Sequence, residues 1–457
     1  MKSRKILFSI FLSSIIAFTA CKKDGGEVDP ENQVELSTPT SDFDSSILTE
    51  YNALQLKLIN NTPGYSAPVA ARSIAYLALA AYEATVPGMP DNQSLAGQLQ
   101  GLDDLPKPEE GKKYDWALAS NAAQHTLMRQ LYATSGDVLK SRMDTLRKNF
   151  EAKYQPGVGT DAIERSINFG NSIALAIWEY AKKDGGHEAW NSNFPVSNGT
   201  LGGSSKWEPT GDQSRPLLPN WKDVRAFLAS NANITLDNPT NFSFNVNSDF
   251  FSQAQQVYLT SSNLNQAQKD IMNFWNDPVN ASFTAAGHQL AVVNKLIAKE
   301  GYNLEEASKL YLKIGLAAHD AYVTAFKKKY SQNIMRPETY IRQAIDPQWK
   351  ANIEGSPSPA YISAQATLAT AIAEILTAEF GDAYIFEDDT KSSVAAKRPY
   401  KGFQDFAKEA RIAQVYAGNQ YSISIQHGEE QGKKIASNVM NLQLLAPIVS
   451  DTTSASR

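Results

Sequence analysis

Two cations at a fixed spacing are the feature of this sequence that most directly suggests chemistry. In the stretch KYSQNIMRP, Lys329 stands seven residues before Arg336, and Pro337 follows at once. Seven residues make nearly two helical turns, so the two side chains could share one face. Because the residue before a proline is disfavoured in a helix, we expect Arg336 to leave it and turn toward a pocket. An ammonium and a planar guanidinium together suit a phosphate-like oxyanion.

A solvated basic helix end is the competing interpretation of the same stretch. Lys327 and Lys328 precede Lys329 directly, and cations are favoured near the C-terminus of a helix. The pattern therefore predicts an anion site only if other residues support it.

The segment before Lys329 must position these cations, and it has the periodicity of a buried helix. Asn303, followed three residues later by Glu306, is a capping-box pattern that predicts its start. Small apolar residues then recur at spacings of three and four, which gives one apolar stripe. The stripe consists of Ala307, Leu310, Ile314, Ala317, Ala318, Ala321 and Ala325. Its alanines permit close packing against neighbouring helices.

Other segments with helical periodicity predict an all-α fold, a large helical bundle. They are 69–86, 113–151, 160–183, 363–380 and 403–442, the last with a break near Gly418. Pro87-Gly88 and Gly381 follow two of them as stop signals. The sequence shows no internal repeat and no convincing run of strands.

Residues 186–247 differ from the helical segments, because they are rich in Asn, Ser, Gly and Pro. We expect a loop-rich insertion that acts as a lid or wrap. Trp190, Trp207 and Trp221 are spaced through it. Our preferred interpretation is that they pin the loops to the helical body. The alternative is a surface glycan-binding lipoprotein that uses exposed, coplanar indoles as stacking platforms.

The N-terminus predicts export and a lipid anchor. A basic start precedes an apolar run of 13 residues, 6–18, which is typical of a signal peptide and too short to span a bilayer. Small residues then precede Cys21, the only cysteine, as in a bacterial lipobox. We predict a signal peptide at 1–20, lipidation of Cys21 and a flexible tether at 21–44. Ordinary cleavage beside an incidental cysteine is the alternative.

The predicted lipid anchor places the rest of the chain at the cell envelope, on the periplasmic or outer-membrane face, and its composition is that of a globular protein. Loss of residues 1–20 removes three of 43 basic residues and none of 48 acidic ones, so the formal charge falls from −5 to −8. This argues against nucleic acid as a partner. Apolar content of 42% fits a single helical domain at 45–445 with a tail at 446–457.

Three stretches resemble the superfamily of vanadium-dependent haloperoxidases and type 2 phosphatidic acid phosphatases. They are FWNDPVNASFTAAGHQL, GLAAHDAYVTAFKKKYSQNIMRPETYIR and IDPQWKANIEGSPSPAYISAQATLATAIAEILTAEFG. The resemblance spans roughly Tyr51 to Leu442 and implies an α-helical bundle around a vanadate or phosphate pocket. The superfamily signature is Lys, six residues, Arg-Pro; then Pro-Ser-Gly-His; then Ser-Arg, five residues, His, three residues, Asp.

The chain keeps the first motif of this signature and departs from the other two. Lys329 and Arg336 complete the first motif. The second falls on 362–365, where Ser363 is kept and Gln365 replaces the histidine. In the third motif only Gly418 and the surrounding frame remain. There Ala413 and Gln414 replace the Ser-Arg pair, Gln420 replaces the histidine, and Ser424 replaces the aspartate.

The resemblance gives each lost residue a role. The third-motif histidine is the nucleophile for phosphate esters or the ligand that holds vanadate, the second-motif histidine is its acid-base partner, and the aspartate sets a tautomer. A glutamine amide neither titrates nor attacks near neutral pH. We therefore predict no confident catalytic residue at the equivalent positions Gln365, Gln420 and Ser424.

What remains is a predicted anion-binding set with a weakened hold on phosphate or vanadate. It comprises Lys329, Arg336, Ser363, Gln414 and Gly418. We expect a small polar or anionic ligand and no cofactor, with vanadate or phosphate bound only if the site is still functional. The other predicted partner is a membrane, reached through the lipid anchor. Haloperoxidase relatives often pair, so the resemblance is compatible with a homodimer, which no residue requires.

The enzyme alternative is a divergent phosphatase or haloperoxidase that uses another histidine. His319 stands ten residues before Lys329, and His427 stands seven after Gln420, which could place the latter two on one face. The remaining histidines are His125, His187 and His288, and the last of these stands at an expected helix start. No HExxH or similar ligand spacing occurs, so no metal site is predicted.

Overall fold

A computed structural model describes residues 36–196, 203, 205–391 and 393–447. The predicted signal peptide, the lipidation site Cys21 and most of the predicted tether and tail lie outside the described residues. The end of the predicted tether is packed, because the Thr40 hydroxyl donates to the Thr85 carbonyl at 2.8 Å and Thr40 is fully buried. The folded body therefore begins before residue 45, the predicted boundary.

Helices account for nearly all the regular structure in the described ranges. They are α1 Ser46–Asn61, α2 Ala67–Thr85, α3 Trp116–Leu131, α4 Asp137–Tyr154, α5 Thr160–Lys182, α6 Ala229–Ala232, α7 Asp249–Ser262, α8 Gln266–Phe274, α9 Thr284–Glu300, α10 Leu304–Gln332, α11 Pro337–Ala344, α12 Ala364–Phe380, α13 Phe403–Tyr416 and α14 Ser422–Met440. Two short antiparallel strands, β1 Phe386–Asp388 and β2 Arg398–Tyr400, form one hairpin. The predicted all-α class is confirmed. None of the helices in these ranges is long and apolar enough to cross a membrane.

Helix α10 is the central element and starts as predicted. The Asn303 side chain accepts from the Glu306 amide at 2.9 Å, and the Glu306 carboxylate accepts from the Asn303 amide at 3.0 Å. The helix runs for 29 residues and ends at Asn333, which has a left-handed backbone with φ of 51°. Lys329 therefore lies in its last turn.

Small residues let the central helices approach each other closely. A Cβ at Gly315 of α10 would lie 2.9 Å from the Ala75 Cα of α2. A Cβ at Gly432 of α14 would lie 2.5 Å from the Thr367 carbonyl oxygen of α12. Since neither contact leaves room for a side chain, both glycines set the spacing of the core.

The boundaries of the C-terminal helices agree with the sequence prediction. The Ser363 hydroxyl accepts from the Ala366 amide at 3.1 Å and caps α12, which ends before Gly381, where φ is 92°. The predicted segment 403–442 is broken, as expected, between α13 and α14. Gly418 lies in this break with φ of 78°. The predicted segment 113–151 forms two helices, α3 and α4.

Side chains of α10 hold the loop-rich insertion in place. The His319 Nε2 lies 3.0 Å from the Arg225 carbonyl oxygen. The neighbouring Asp320 carboxylate accepts from the backbone amides of Phe227 at 2.7 Å and Leu228 at 3.2 Å. Burial raises the pKa of Asp320 to about 7. These two residues therefore anchor loop backbone to the bundle.

The tryptophans of the insertion pack inward. Trp207 and Trp221 are 3% and 2% exposed, and Trp190 is half-buried against the main core. The exposed, coplanar indoles that glycan stacking needs are absent at these three positions. The structure thus favours the interpretation that the tryptophans fasten the loops.

Candidate functional site

A cavity of about 840 Å³ opens beside the end of α10. Lys329 and Arg336 both line it, together with Gln365, Gln414 and Gln420. These residues come from α10, α12, α13 and the connections around them. The structure therefore brings together the two predicted cations and the three glutamines that stand at the motif positions.

The geometry at Pro337 explains how Arg336 reaches the cavity. Arg336 caps α11 with φ of −72° and ψ of 155°, and Pro337 occupies the first turn of that helix. The expectation that Arg336 leaves the helical conformation is confirmed. Asn333 and the extended backbone at Arg336 interrupt the helix. Lys329 and Arg336 therefore lie at the ends of two separate helices, α10 and α11.

Protein acceptors use every N–H group of the Arg336 guanidinium. Nε donates to the Ser358 carbonyl at 2.8 Å, and Nη2 donates to the Ser356 carbonyl at 3.0 Å and the Ser358 hydroxyl at 3.1 Å. Nη1 donates to the Asn419 carbonyl at 2.9 Å. The Gln420 side-chain oxygen accepts the remaining N–H at 3.0 Å. A guanidinium has five N–H donors, so none is left for a ligand.

Lys329 is as buried as Arg336, but fewer of its N–H donors have hydrogen-bond partners. Its ammonium donates to the Pro359 carbonyl at 2.8 Å, its one hydrogen bond to the described residues. An ammonium has three N–H donors, so two remain. Burial, reinforced by the Arg336 charge, lowers the pKa of Lys329 well below its ordinary value. Burial also lowers the pKa of Arg336 to about 10.

No carboxylate forms a direct ion pair with either of these two cations in the part of the chain that the structure describes. Among the same residues, no acidic group raises either pKa except tyrosines near Arg336. Lys329 is 3% exposed and Arg336 is 4% exposed. Two buried cations without a counter-ion are electrostatically costly, because each has lost its hydration.

The neighbours of Gln420 fix its amide orientation. Its nitrogen donates to the Ala360 carbonyl at 2.7 Å and to the Ser424 hydroxyl at 3.0 Å, while its oxygen faces Arg336. The Ser424 hydroxyl in turn donates to the Ala360 carbonyl at 2.8 Å. The amide therefore ties Arg336 to α14, and both of its ends are occupied by protein groups.

Gln414 contributes an unused donor to the cavity wall. Its side-chain oxygen accepts from the Ser363 hydroxyl at 2.5 Å, but its amide nitrogen is buried without a partner. Gln365, by contrast, donates to the Trp275 carbonyl at 3.3 Å. A buried N–H group without a hydrogen-bond partner costs free energy. A ligand that accepts a hydrogen bond from this group would remove that cost.

Three predicted site residues lie behind the cavity wall instead of on it. Ser363 caps α12 and holds Gln414, and Ser424 holds Gln420. Gly418 serves the turn, since a Cβ there would lie 3.0 Å from the Trp349 ring. The prediction that Ser363 and Gly418 contact an anion directly is therefore corrected to a supporting role.

No histidine is among the described residues that line the cavity. His319 anchors Arg225, as described above, and burial lowers its pKa to about 4. His427 Nδ1 lies 2.7 Å from the Tyr361 hydroxyl. The prediction that His427 shares a helical face with Gln420 is wrong, because Gln420 precedes the start of α14.

A buried charge network that the sequence did not reveal lies beside the cations. His288 of α9 contacts Asp277 through Nδ1 at 3.0 Å and Asp388 of β1 through Nε2 at 2.7 Å. The Lys391 ammonium lies 2.6 Å from Asp277, which lines the cavity. Burial works to lower the pKa of His288, but the two carboxylates outweigh it and raise the pKa.

The described residues contain no group of three His, Cys, Asp or Glu side chains arranged to hold a metal ion.

Comparison with solved structures decides the family. A bacterial vanadium-dependent iodoperoxidase aligns over 89% of this chain and 98% of its own, with a TM-score of 0.79 and 27% identity. The model of the VCPO second helical-bundle domain matches residues 309–445, which include Lys329 and Arg336. These two matches support the vanadium haloperoxidase superfamily, whose helical fold the chain has. Its sequence resemblance to that superfamily is thereby confirmed.

More distant members of the vanadium haloperoxidase superfamily share the fold. The holo form of a bacterial vanadium-dependent chloroperoxidase aligns over 85% of this chain and 95% of its own, with a TM-score of 0.63 and 16% identity. The apo form aligns over 83% and 95%, with a TM-score of 0.62 and 15% identity. Among curated proteins, no sequence match was found.

Proposed function

We propose that this chain is a cell-envelope lipoprotein of the haloperoxidase superfamily that binds a small polar or anionic ligand and has lost the superfamily's catalysis. The observation that carries the proposal is the make-up of the cavity. Two buried cations remain, and glutamines stand where the motifs have imidazoles. Loss of a nucleophile alone costs on the order of 10³-fold or more in rate.

Vanadate is the group that the superfamily implies, and the residues present do not fit it. The motif position that would bond vanadium is Gln420, whose amide already serves Arg336, Ala360 and Ser424. The N–H groups of Arg336 are likewise all directed at protein acceptors. Among the cations and the motif glutamines, free donors are found only on Lys329 and Gln414, too few for an oxyanion that the superfamily holds with several cations.

Halide oxidation is the second candidate function, because an iodoperoxidase is 27% identical to this chain. It would require an imidazole or another group to replace Gln420. His288 contacts Asp277, which lines the cavity, but carboxylates hold both of its nitrogens. Without a rearrangement of that network, His288 has no free nitrogen for a substrate.

Turnover assays on the purified mature chain test the loss of catalysis. We expect no iodide or bromide oxidation by hydrogen peroxide above the protein-free background with orthovanadate, and no hydrolysis of 4-nitrophenyl phosphate. Vanadate-dependent oxidation that disappears in Lys329→Ala, but persists in Lys327→Ala, would overturn the proposal. Lys327 is the matched control because it is exposed on the same helix.

The lipid anchor is tested separately. We expect the full precursor, expressed in a bacterium that processes lipoproteins, to partition into the detergent phase of a Triton X-114 extract. The Cys21→Ser variant should partition into the aqueous phase. Aqueous partitioning of both proteins would contradict the proposed anchor and leave the binding proposal unaffected.

A further inference from the structure

Two chemically different groups of residues line the cavity. One is polar and contains Lys329 and the free amide of Gln414. The other is apolar and includes Phe194, Leu217, Met272, Trp275, Val279 and Phe326. Phe326 and Lys329 lie three residues apart on α10. The apolar and polar groups of lining residues therefore adjoin on the surface of that helix. A ligand that fills the cavity must therefore present an acceptor at one end and an apolar body at the other.

The charges that line the cavity leave a net of one positive charge. Lys329 and Arg336 contribute two cations, and Glu354 at the exposed rim contributes one carboxylate without an ion pair among the described residues. Asp277 also lines the cavity, but His288, Asp388 and Lys391 balance it in a neutral network. A singly charged anion matches this net charge, whereas a second negative charge would have no cation left to balance it.

The free hydrogen-bond donors also match a small head group. Two N–H groups of Lys329 and the amide nitrogen of Gln414 are unused, and the Arg336 guanidinium is fully engaged. A carboxylate is an acceptor-only group with two oxygens. Three donors give a carboxylate more than one hydrogen bond per oxygen, whereas each of the three terminal oxygens of a phosphate dianion would receive only one.

We propose that the cavity binds an amphipathic monocarboxylate. The carboxylate lies against Lys329 and Gln414, and the apolar body lies along Trp275, Phe326 and their apolar neighbours. This inference rests on the proposed function, because it specifies the ligand of the same cavity. It adds the head group, its single charge and the apolar body.

Isothermal titration of the mature chain with decanoate tests the proposal. Acetate removes the apolar body, decanol removes the charge, and decyl phosphate replaces the head group with one of higher charge. We expect decanoate to bind at least 100-fold more tightly than acetate, because each buried methylene adds affinity. Decanol and decyl phosphate should each bind at least about tenfold more weakly than decanoate.

Variants locate the head group. We expect Lys329→Met to weaken decanoate binding by about 10- to 100-fold and Gln414→Leu by about tenfold. Lys327→Met and Gln404→Leu are the matched controls, since both residues are exposed on the same two helices. They should bind decanoate as the wild type does. Circular dichroism of each variant verifies the fold before titration.

The outcomes separate the two proposals. Tighter binding of decyl phosphate or orthophosphate than of decanoate would overturn the monocarboxylate assignment and leave the silent anion site standing. Decanoate binding that is absent up to about 1 mM, or unchanged in both Lys329→Met and Gln414→Leu, would likewise overturn the assignment. Vanadate-dependent halide oxidation would instead overturn the proposed function.

Discussion

Two buried charge clusters lie beside the same cavity and differ in how their charges are balanced. In the network of Asp277, His288, Asp388 and Lys391, every charge has an opposite partner within 3.0 Å. The pair formed by Lys329 and Arg336 has hydrogen bonds to neutral groups only. The first cluster joins α9, the segment after α8 and the β hairpin, whereas the second lines the cavity.

The difference separates architecture from function. A buried ion network with internal partners holds structural elements together, and removal of one member leaves its partner uncompensated. A buried cation without a counter-ion destabilises the fold that contains it. Perturbed charges of this kind cluster at functional sites. The comparison therefore favours a structural role for the network and supports the ligand-binding role proposed for Lys329.

The largest expected effect comes from breaking the network. His288→Ala leaves Asp277 and Asp388 with one cation between them, so we expect the free energy of unfolding to fall by about 3–5 kcal/mol. Urea denaturation at pH 7 measures this. His125→Ala is the control, because the partner carboxylate of His125 is 46% exposed and such pairs contribute about 1 kcal/mol or less. A loss below that of the control would contradict the structural role.

Removal of a buried cation should not lower the free energy of unfolding, in contrast to the loss expected for His288→Ala. Lys329→Met replaces an uncompensated buried charge with an apolar side chain of similar length. We expect the free energy of unfolding of the ligand-free protein to stay constant or rise by up to about 2 kcal/mol. A loss of more than about 2 kcal/mol in the same urea experiment would show that Lys329 is a structural cation after all.

The two clusters should also respond oppositely to pH. The pKa of Lys329 is lowered in the folded state, so between that pKa and about 10.4 the unfolded chain binds more protons and stability rises with pH. The pKa of His288 is raised, so its contribution is complete below about 6.5 and is lost as pH rises through the folded value. We expect urea midpoints measured from pH 6 to 10 to show the two contributions separately. The increase in stability with pH that Lys329 causes should be absent in Lys329→Met. The decrease with pH that His288 causes should be absent in His288→Ala. Unchanged slopes in both would contradict the comparison.

The smallest expected effect concerns the support of Gln420. Ser424→Ala removes the hydroxyl that accepts from the Gln420 amide and donates to the Ala360 carbonyl. We expect a loss of about 0.5–1.5 kcal/mol in the free energy of unfolding, as for one net hydrogen bond. Ser437→Ala, at an exposed position of the same helix, should change little. Equal losses in the two variants would show that Ser424 has no special role.

Local patterns predicted the helices and the cations well, because caps and breaks depend on neighbouring residues. Asn303 with Glu306, Gly381 and Pro337 each act within one turn of the chain, and each does so in the structure. The three glutamines at the motif positions line the same cavity as Lys329. These features could be read from short stretches without knowledge of the tertiary fold.

Features that depend on long-range packing could not be predicted. His288 and Asp388 are 100 residues apart in the chain, and no local sequence pattern near either residue predicts their contact. Ser363 and Gly418 have supporting roles because they lie behind the residues that form the cavity wall. The predicted pairing of His427 with Gln420 failed because it assumed one continuous helix across the turn before α14.

The central claim is that Lys329 is a buried cation that lacks a counter-ion until a ligand supplies one. Its titration can be followed by NMR of the protein with ¹³C-labelled lysine, with the Lys329→Met spectrum as the assignment. We predict a pKa well below 10.5 in the ligand-free protein and a higher one when decanoate is saturating. A pKa near 10.5 that decanoate leaves unchanged would contradict the account.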